Sequence, residues 1–255
     1  MDPTSAKEGT RRLSKRQTSP SFFYLMIRFR THLINTTTQP TLTTSYMYHT
    51  VSLVHTTPDA EKLIAYMARV SNPDNQDNPD SERLIRYLIK HKHWSPFEMV
   101  NMCVQIETTR SVAAQILRHR SFSFQEFSQR YAKVAQPALL PQLRRQDEKN
   151  RQNSIDDLDV STVKDFMVKV NSLFELSESL YNEMLATGVA KECARDILPL
   201  ATPTKLYMNG TLRSWLHYCD LRTANGTQYE HKCIAEQVKG LIEEQFPTIY
   251  KAMFE

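Results

Sequence analysis

Residues 99–118 read MVNMCVQIETTRSVAAQILR, and the chain changes period within them. Val100, Met102, Val104 and Ile106 fall on alternate positions, the two-residue repeat of a strand that buries one face. Thr108 or Thr109 then caps a short helix that runs to about Arg118. Working outward, residues 49–55 read as another strand, with Val51, Leu53 and His55 on one face and Ser52 and Val54 on the other. Residues 59–70 read as a helix whose first turn Pro58 suits and which carries Leu63, Tyr66, Met67 and Val70 at helical spacing. SNPDNQDNPD, residues 71–80, is a loop. Ser81 stands as the N-cap of a helix presenting Leu84, Ile85, Leu88 and Ile89.

Downstream, residues 136–160 carry Pro137, Pro141 and many charges and read as a long loop. The longest helix is predicted over 161–187, with Val163, Phe166, Val170, Leu173, Phe174, Leu180 and Met184 as its apolar set and Gly188 as its stop. Further helices are predicted over 189–197, 211–221, 228–245 and 248–254, with a short strand near 205–209. Helices dominate, a few strands lie between them, and no repeat appears. The class is α+β, one helix-rich domain with a small mixed or antiparallel sheet.

The 255 residues are 40% hydrophobic and 24% charged, an ordinary globular mixture with room for one substantial core. The longest apolar run covers residues 22–27, far short of the roughly 18 residues of a membrane span. The five glycines are never closer than 14 residues apart. A dinucleotide fingerprint needs three within about six positions, so that fingerprint and the phosphate loop are both excluded. Any phosphate must be held by arginine or lysine side chains and helix N-termini. Four cysteines without a CxxC pair fit a reducing compartment such as the cytoplasm. His91 and His93 have no third ligand at metal spacing, so no metal is expected.

The net charge of +4 is uneven. Residues 1–50 hold seven Lys and Arg against Asp2 and Glu8, leaving −1 for the rest. The chain therefore divides into a basic, Thr- and Ser-rich extension over 1–48, read as disordered, and a near-neutral globular body over 49–255. The extension is also compatible with an organelle transit peptide. The neutral body argues against nucleic acid as a partner, and no RNP, KH or zinc-knuckle pattern is present.

The densest polar stretch is RHRSFSFQEFSQRY, residues 118–131. Three cations where a helix should end complement its dipole. Hydroxyls, amides and a carboxylate interleaved with Phe122, Phe124, Phe127 and Tyr131 suit a pocket for a flat, hydrogen-bonding, phosphorylated ligand. The stretch resembles the RHRxxSxNxxSxR signature of the flavin-dependent thymidylate synthases, matched by Arg118, His119, Arg120, Ser123, Ser128 and Arg130. HWSPFE (93–98), ARDILPL (194–200) and GTLRSWLHYCDLRT (210–223) resemble further segments of that family. The likeness covers roughly residues 49–250. Gln125 and Thr211 stand where Asn is usual, Gly226 and Met99 where His is common, and Tyr229 where Trp is common.

The resemblance implies a thymidylate synthase-complementing fold and the reductive methylation of dUMP to dTMP. Methylenetetrahydrofolate would donate the carbon, and FAD reduced by NADPH the electrons. It places Gln115, Arg118, Glu126, Phe127, Ser128, Gln129, Arg130, Arg195 and Arg222 on dUMP, with backbone amides of 127–129 serving the phosphate. It places His93, Ser95, Glu98, Arg118, His119, Arg120, Glu126, Arg213 and His217 on FAD. Arg222 is the catalytic candidate, facing the uracil edge, where a guanidinium stabilises negative charge. Ser128 is read as a hydrogen-bond donor to phosphate or ribose, and no cysteine holds a matched catalytic position. The resemblance also implies a homotetramer with shared active sites. A second reading stays open, motivated by Gln125, Thr211 and Gly226: a degenerate member that binds flavin, nucleotide or, through its basic tail, nucleic acid without turnover.

Overall fold

The computed structural model describes residues 48–255, so the expected disordered extension lies, Tyr48 apart, outside the described residues. The elements are β1 (Thr50–Thr56), α1 (Ala60–Ala68), α2 (Glu82–Lys90), β2 (Asn101–Thr109), α3 (Arg110–Ile116), β3 (Ser123–Glu126), β4 (Arg145–Gln146), β5 (Ser154–Ile155), α4 (Val160–Ala186), α5 (Lys191–Ala194), β6 (Pro203–Thr211), α6 (Leu212–Arg222), α7 (Tyr229–Gln245) and α8 (Pro247–Phe254). Short 3₁₀ turns lie at Ser95–Glu98 and Arg195–Ile197. None of the described helices is long and apolar enough to cross a membrane.

Four strands form one antiparallel sheet in the order β1-β2-β6-β3. The alternation in β2 sets which face is buried. Val100, Met102, Val104 and Ile106 are fully enclosed. Their register lays Met102 opposite Gly210, Val104 opposite Met208 and Ile106 opposite Leu206. β1 adds Val51 and Leu53 to the same face. A register shift between Leu53 and His55 turns His55 out to solvent, against its expected inward place, because a bulge changes the strand's parity. Helices α6 and α7 pack on this face, with α8, α2 and α1 behind them.

Other segments differ from expectation as well, among them β3, a strand that the sequence reading did not set out. α1 buries Ala60, Ile64 and Ala65 and leaves Tyr66 and Val70 exposed, since the small residues let it lie against α2 and the Ser95–Glu98 turn. The 136–160 loop contains the β4–β5 hairpin, whose two-residue strands are too short to show a period. α4 runs 27 residues from Asp159, whose carboxylate accepts from the Thr162 amide at 3.0 Å, yet among the described residues it buries Tyr181 alone. Val168, Leu173 and Leu176 stay more than 60% exposed. The apolar spacing there is real, but this chain does not cover it.

The join between β6 and α6 positions the site. Trp215 is fully buried, and its indole N–H donates to the Met102 carbonyl at 2.9 Å. The Phe122 ring packs 4.6 Å from the Trp215 ring, centroid to centroid, and lies where a β-carbon on Gly210 would stand. Gly210→Ala is therefore expected to displace Phe122 and lower stability by about 1–3 kcal/mol, as overpacked cores do, measured by urea unfolding. Gly240→Ala, in open space, is the matched control and should leave the transition midpoint within the error of the curve or raise it.

Candidate active site

α3 ends at Ile116, and the turn through Arg118–Arg120 leads into β3. The turn carries His119 inward, where its ring stands 5.0 Å edge-on from Tyr218. Arg222, in the last turn of α6, donates Nε–H to His119 Nε2 at 2.9 Å. A guanidinium has no acceptor, so His119 must offer its Nε2 lone pair and stay neutral. Burial, followed by the charges of Arg222 and His217, lowers His119 to about 4. Behind it, His231 is fully buried, with Nε2 3.2 Å from the Tyr218 hydroxyl and Nδ1 3.3 Å from Gln115 Oε1. Burial and the charges of Arg222 and His119 lower His231 to about 3. Arg222 forms no ion pair among the described residues, so its charge is not cancelled.

A second group forms where the Ser95–Glu98 turn meets the start of α6. Thr211 caps that helix, accepting from the Ser214 amide at 3.3 Å, and donates its hydroxyl hydrogen to Glu98 Oε2 at 2.8 Å. Arg213 pairs with the other Glu98 oxygen. The Arg213 hydrogen bond chiefly holds Glu98 below the usual carboxylate range, against the opposing effect of burial and with help from Thr211. The Ser214 hydroxyl reaches the Ser121 carbonyl at 3.4 Å, tying the group to the 118–121 turn. Thr211 thus caps the helix with its own hydroxyl, a position that Asn also favours in helices generally. His93, Ser95 and His217 are exposed, and the His93 ring packs with Tyr87 and His91.

The remaining dUMP candidates form a third group. Glu126 ends β3 and accepts from Arg110 Nη1 at 2.7 Å and from the Thr204 hydroxyl at 2.9 Å. Gln129 is buried, and its Nε2 has no partner. Phe127, Ser128 and Arg130 are exposed; Arg130 pairs with Glu192 at 3.0 Å, and Arg195 lies 3.8 Å from Asp196. The Phe127 amide is spent on the Lys205 carbonyl at 2.9 Å, which leaves residues 128 and 129 of the three expected backbone donors. Among the described residues, no hydrogen bond or ion pair joins this group to Gln115, His119 and Arg222.

The donor set fits a phosphorylated ligand. Arg118 and Arg120 are exposed, and their guanidiniums have no ion pair among the described residues. The orphaned Gln129 amide is a further donor in want of an acceptor. A cavity of about 440 Å³ opens between the β4–β5 hairpin and the 224–229 turn, with Arg151, Asn225 and Lys232 in its wall and Gln228 at its rim. Gly226 stands in that turn at φ +92°, which accounts for a glycine there. Sequence reasoning missed Arg110, Thr204, Tyr218, Gln228, Glu230 and His231. Two carried a signal: Thr204 interrupts the inward alternation of Leu206 and Met208, and His231 lies on the buried stripe of Ile234, Ala235, Val238 and Ile242.

Comparison with known proteins gives a consistent result. The family model described as thymidylate synthase complementing protein matches residues 52–248. A probable flavin-dependent thymidylate synthase of Paramecium bursaria Chlorella virus 1 is 52% identical over 195 residues, 76% of this chain and 90% of the relative. A flavin-dependent thymidylate synthase of Synechocystis sp. is 53% identical over 193 residues, 76% of this chain and 89% of the relative. Among solved structures, the UMP/dUMP methylase PolB of Streptomyces cacaoi bound with 5-Br dUMP superposes with a TM-score of 0.70 at 27% identity. That match covers 80% of this chain and 93% of PolB.

The two histidines make stability depend on pH. In the unfolded chain each binds a proton near pH 6.5, but in the fold only near 4 and 3. Between those values the unfolded state binds more protons, so stability rises with pH across that window and is lost as pH falls through it. Unfolding midpoints measured from pH 7 down to 4 should decline steadily, and His231→Phe should flatten that decline.

Proposed function

The chain belongs to the flavin-dependent thymidylate synthases, and on that premise we propose how its own residues serve the reductive methylation of dUMP to dTMP. The one-carbon donor is methylenetetrahydrofolate. Its carbon arrives two electrons short of a methyl group, and FAD, when bound and reduced by NADPH, supplies those electrons. FAD is assigned to His93, Ser95, Glu98, Arg118, His119, Arg120, Glu126, Arg213 and His217. dUMP is assigned to Gln115, Arg118, Glu126, Phe127, Ser128, Gln129, Arg130, Arg195 and Arg222.

The observation that carries the reading is the hold of His119 on Arg222. Ionisation at N3 of uracil spreads negative charge over the ring edge and makes C5 a better nucleophile toward the one-carbon unit, and a fixed positive group at that edge lowers the barrier. A carboxylate would fix the guanidinium but quench it. The neutral imidazole fixes Nε and leaves the charge and both Nη groups for the base. At the other end of the nucleotide, Arg130 and Arg195, the Ser128 hydroxyl and the amides of 128 and 129 face the phosphate without risk of deprotonation.

We read the protein as a homotetramer with shared sites. Two facts support this: the dUMP candidates form two groups with no hydrogen bond or ion pair between them, and α4 leaves Val168, Leu173 and Leu176 exposed. Purified protein with FAD, NADPH and methylenetetrahydrofolate should convert dUMP to dTMP anaerobically; FAD-loaded protein that yields no product would overturn the assignment. Arg222→Ala is expected to cut turnover by about 10²–10³, the scale of a lost electrostatic donor. Co-expression of Arg222→Ala with Arg130→Ala should restore part of the activity. Mixed oligomers without rescue would refute sharing.

A further inference from the structure

A chain of side-chain hydrogen bonds runs from the hairpin to the floor of the site, and its direction is set by one carboxylate. Glu230 accepts from Arg144 Nη2 at 2.7 Å and from Gln228 Nε2 at 2.8 Å, and both members of the Arg144–Glu230 pair are largely buried. Burial works against ionisation of Glu230, but the bonds from Arg144 and Gln228 outweigh it, so the group stays a carboxylate. A carboxylate only accepts. Gln228 must therefore spend its nitrogen on Glu230 and turn its oxygen to Gln115. Gln115 then donates from Nε2 to Gln228, and its Oε1 is left for His231. His231, neutral and fully buried, carries its hydrogen on Nδ1 to meet that oxygen, and its Nε2 accepts from the Tyr218 hydroxyl. Each link has one polarity consistent with its neighbours. The oxygen of Gln115 faces the buried side and its nitrogen the open side.

We propose that His231 is a positioning residue that holds the Gln115 amide with its N–H outward, so that the site favours a base bearing a carbonyl oxygen over one bearing an exocyclic amine. The inference rests on the reading that Gln115 touches dUMP. It gives a role to a buried histidine outside the recognised motifs. It also separates two functions on one ring: Nδ1 orients the amide, and Nε2 satisfies the buried Tyr218 hydroxyl.

The test titrates FAD-loaded protein with dUMP and with dCMP and reads both dissociation constants beside the unfolding midpoint. His231→Gln places an amide at the Nε2 end and removes the Nδ1 donor. dUMP should bind about tenfold more weakly while dCMP changes little, which narrows the preference by the same factor. His231→Asn restores an N–H at the Nδ1 position and should recover most of the preference, although it leaves the Tyr218 hydroxyl unpaired and lowers the midpoint. The reverse ranking, or a preference that follows the midpoint alone, would overturn the proposal. Gln228→Leu alters an exposed residue and keeps the fold; the preference should narrow about threefold, and an unchanged ratio would also overturn it. Gln115→Leu separates the layers. If it binds dUMP like the parent protein, the underlying placement of Gln115 fails and the inference with it. If it weakens dUMP while His231→Gln does not, the inference alone fails.

Discussion

The Phe122 ring occupies the space beside the Gly210 α-carbon that a side chain would otherwise fill, and the site depends on that approach. Gly210 is paired with Met102 in the central ladder, so the ring is pinned to the most buried part of the sheet. His119 lies three residues before Phe122, and the Phe122 amide closes the turn on the His119 carbonyl at 3.3 Å. A fixed ring therefore means a fixed imidazole. The same join of β6 to α6 sends Arg222 out along α6 to meet that imidazole. One missing methyl group brings together two residues far apart in sequence.

Charge is handled in a way suited to a chain with so few glycines. Without a glycine-rich loop for phosphate, the positive groups must be side chains, and a charge is most useful where its anchor does not neutralise it. The protein uses two solutions. At Arg222 the anchor is a neutral histidine, kept neutral by burial and by the cation itself. At Arg118 and Arg120 there is no ion-paired anchor among the described residues, which leaves both available to an anionic partner. Three other arginines, Arg110, Arg130 and Arg213, pair with carboxylates, those of Glu126, Glu192 and Glu98. Glu98 holds Thr211 and Arg213 in place, Glu126 holds Arg110 and Thr204, and Glu230 fixes the direction of the bonds that reach Gln115.

The proposed sharing of sites between subunits draws on the same layout. β3 lies at the edge of the sheet, with Glu126 and the polar turn after it on the side of α5, while Arg222 and Gln115 lie against α7. Among the described residues no hydrogen bond or ion pair joins the two groups. α4, long and exposed at Val168, Leu173 and Leu176, is the apolar surface that the proposed tetramer would cover.

The buried face of β2, the long helix α4 to within a residue or two, the α+β class and the cationic, glycine-poor character of the site were legible in the sequence, because periodicity, capping and composition act within a few residues of each other. The motif residues His119 and Arg222 were legible as well, but not their contact. The bulge that turns His55 outward, the face α1 buries, the small hairpin and the exposure of α4 depend on which surfaces meet, and one chain's spacing does not record that. His231 shows the division best. Its place on an apolar stripe is local and readable, whereas its bond to Gln115, 116 residues away, exists only because α3 and α7 pack together. Which donors and acceptors the molecule owns was decided by the sequence; which way each one points was decided by the fold, because a hydrogen bond's direction is set by its neighbours in space.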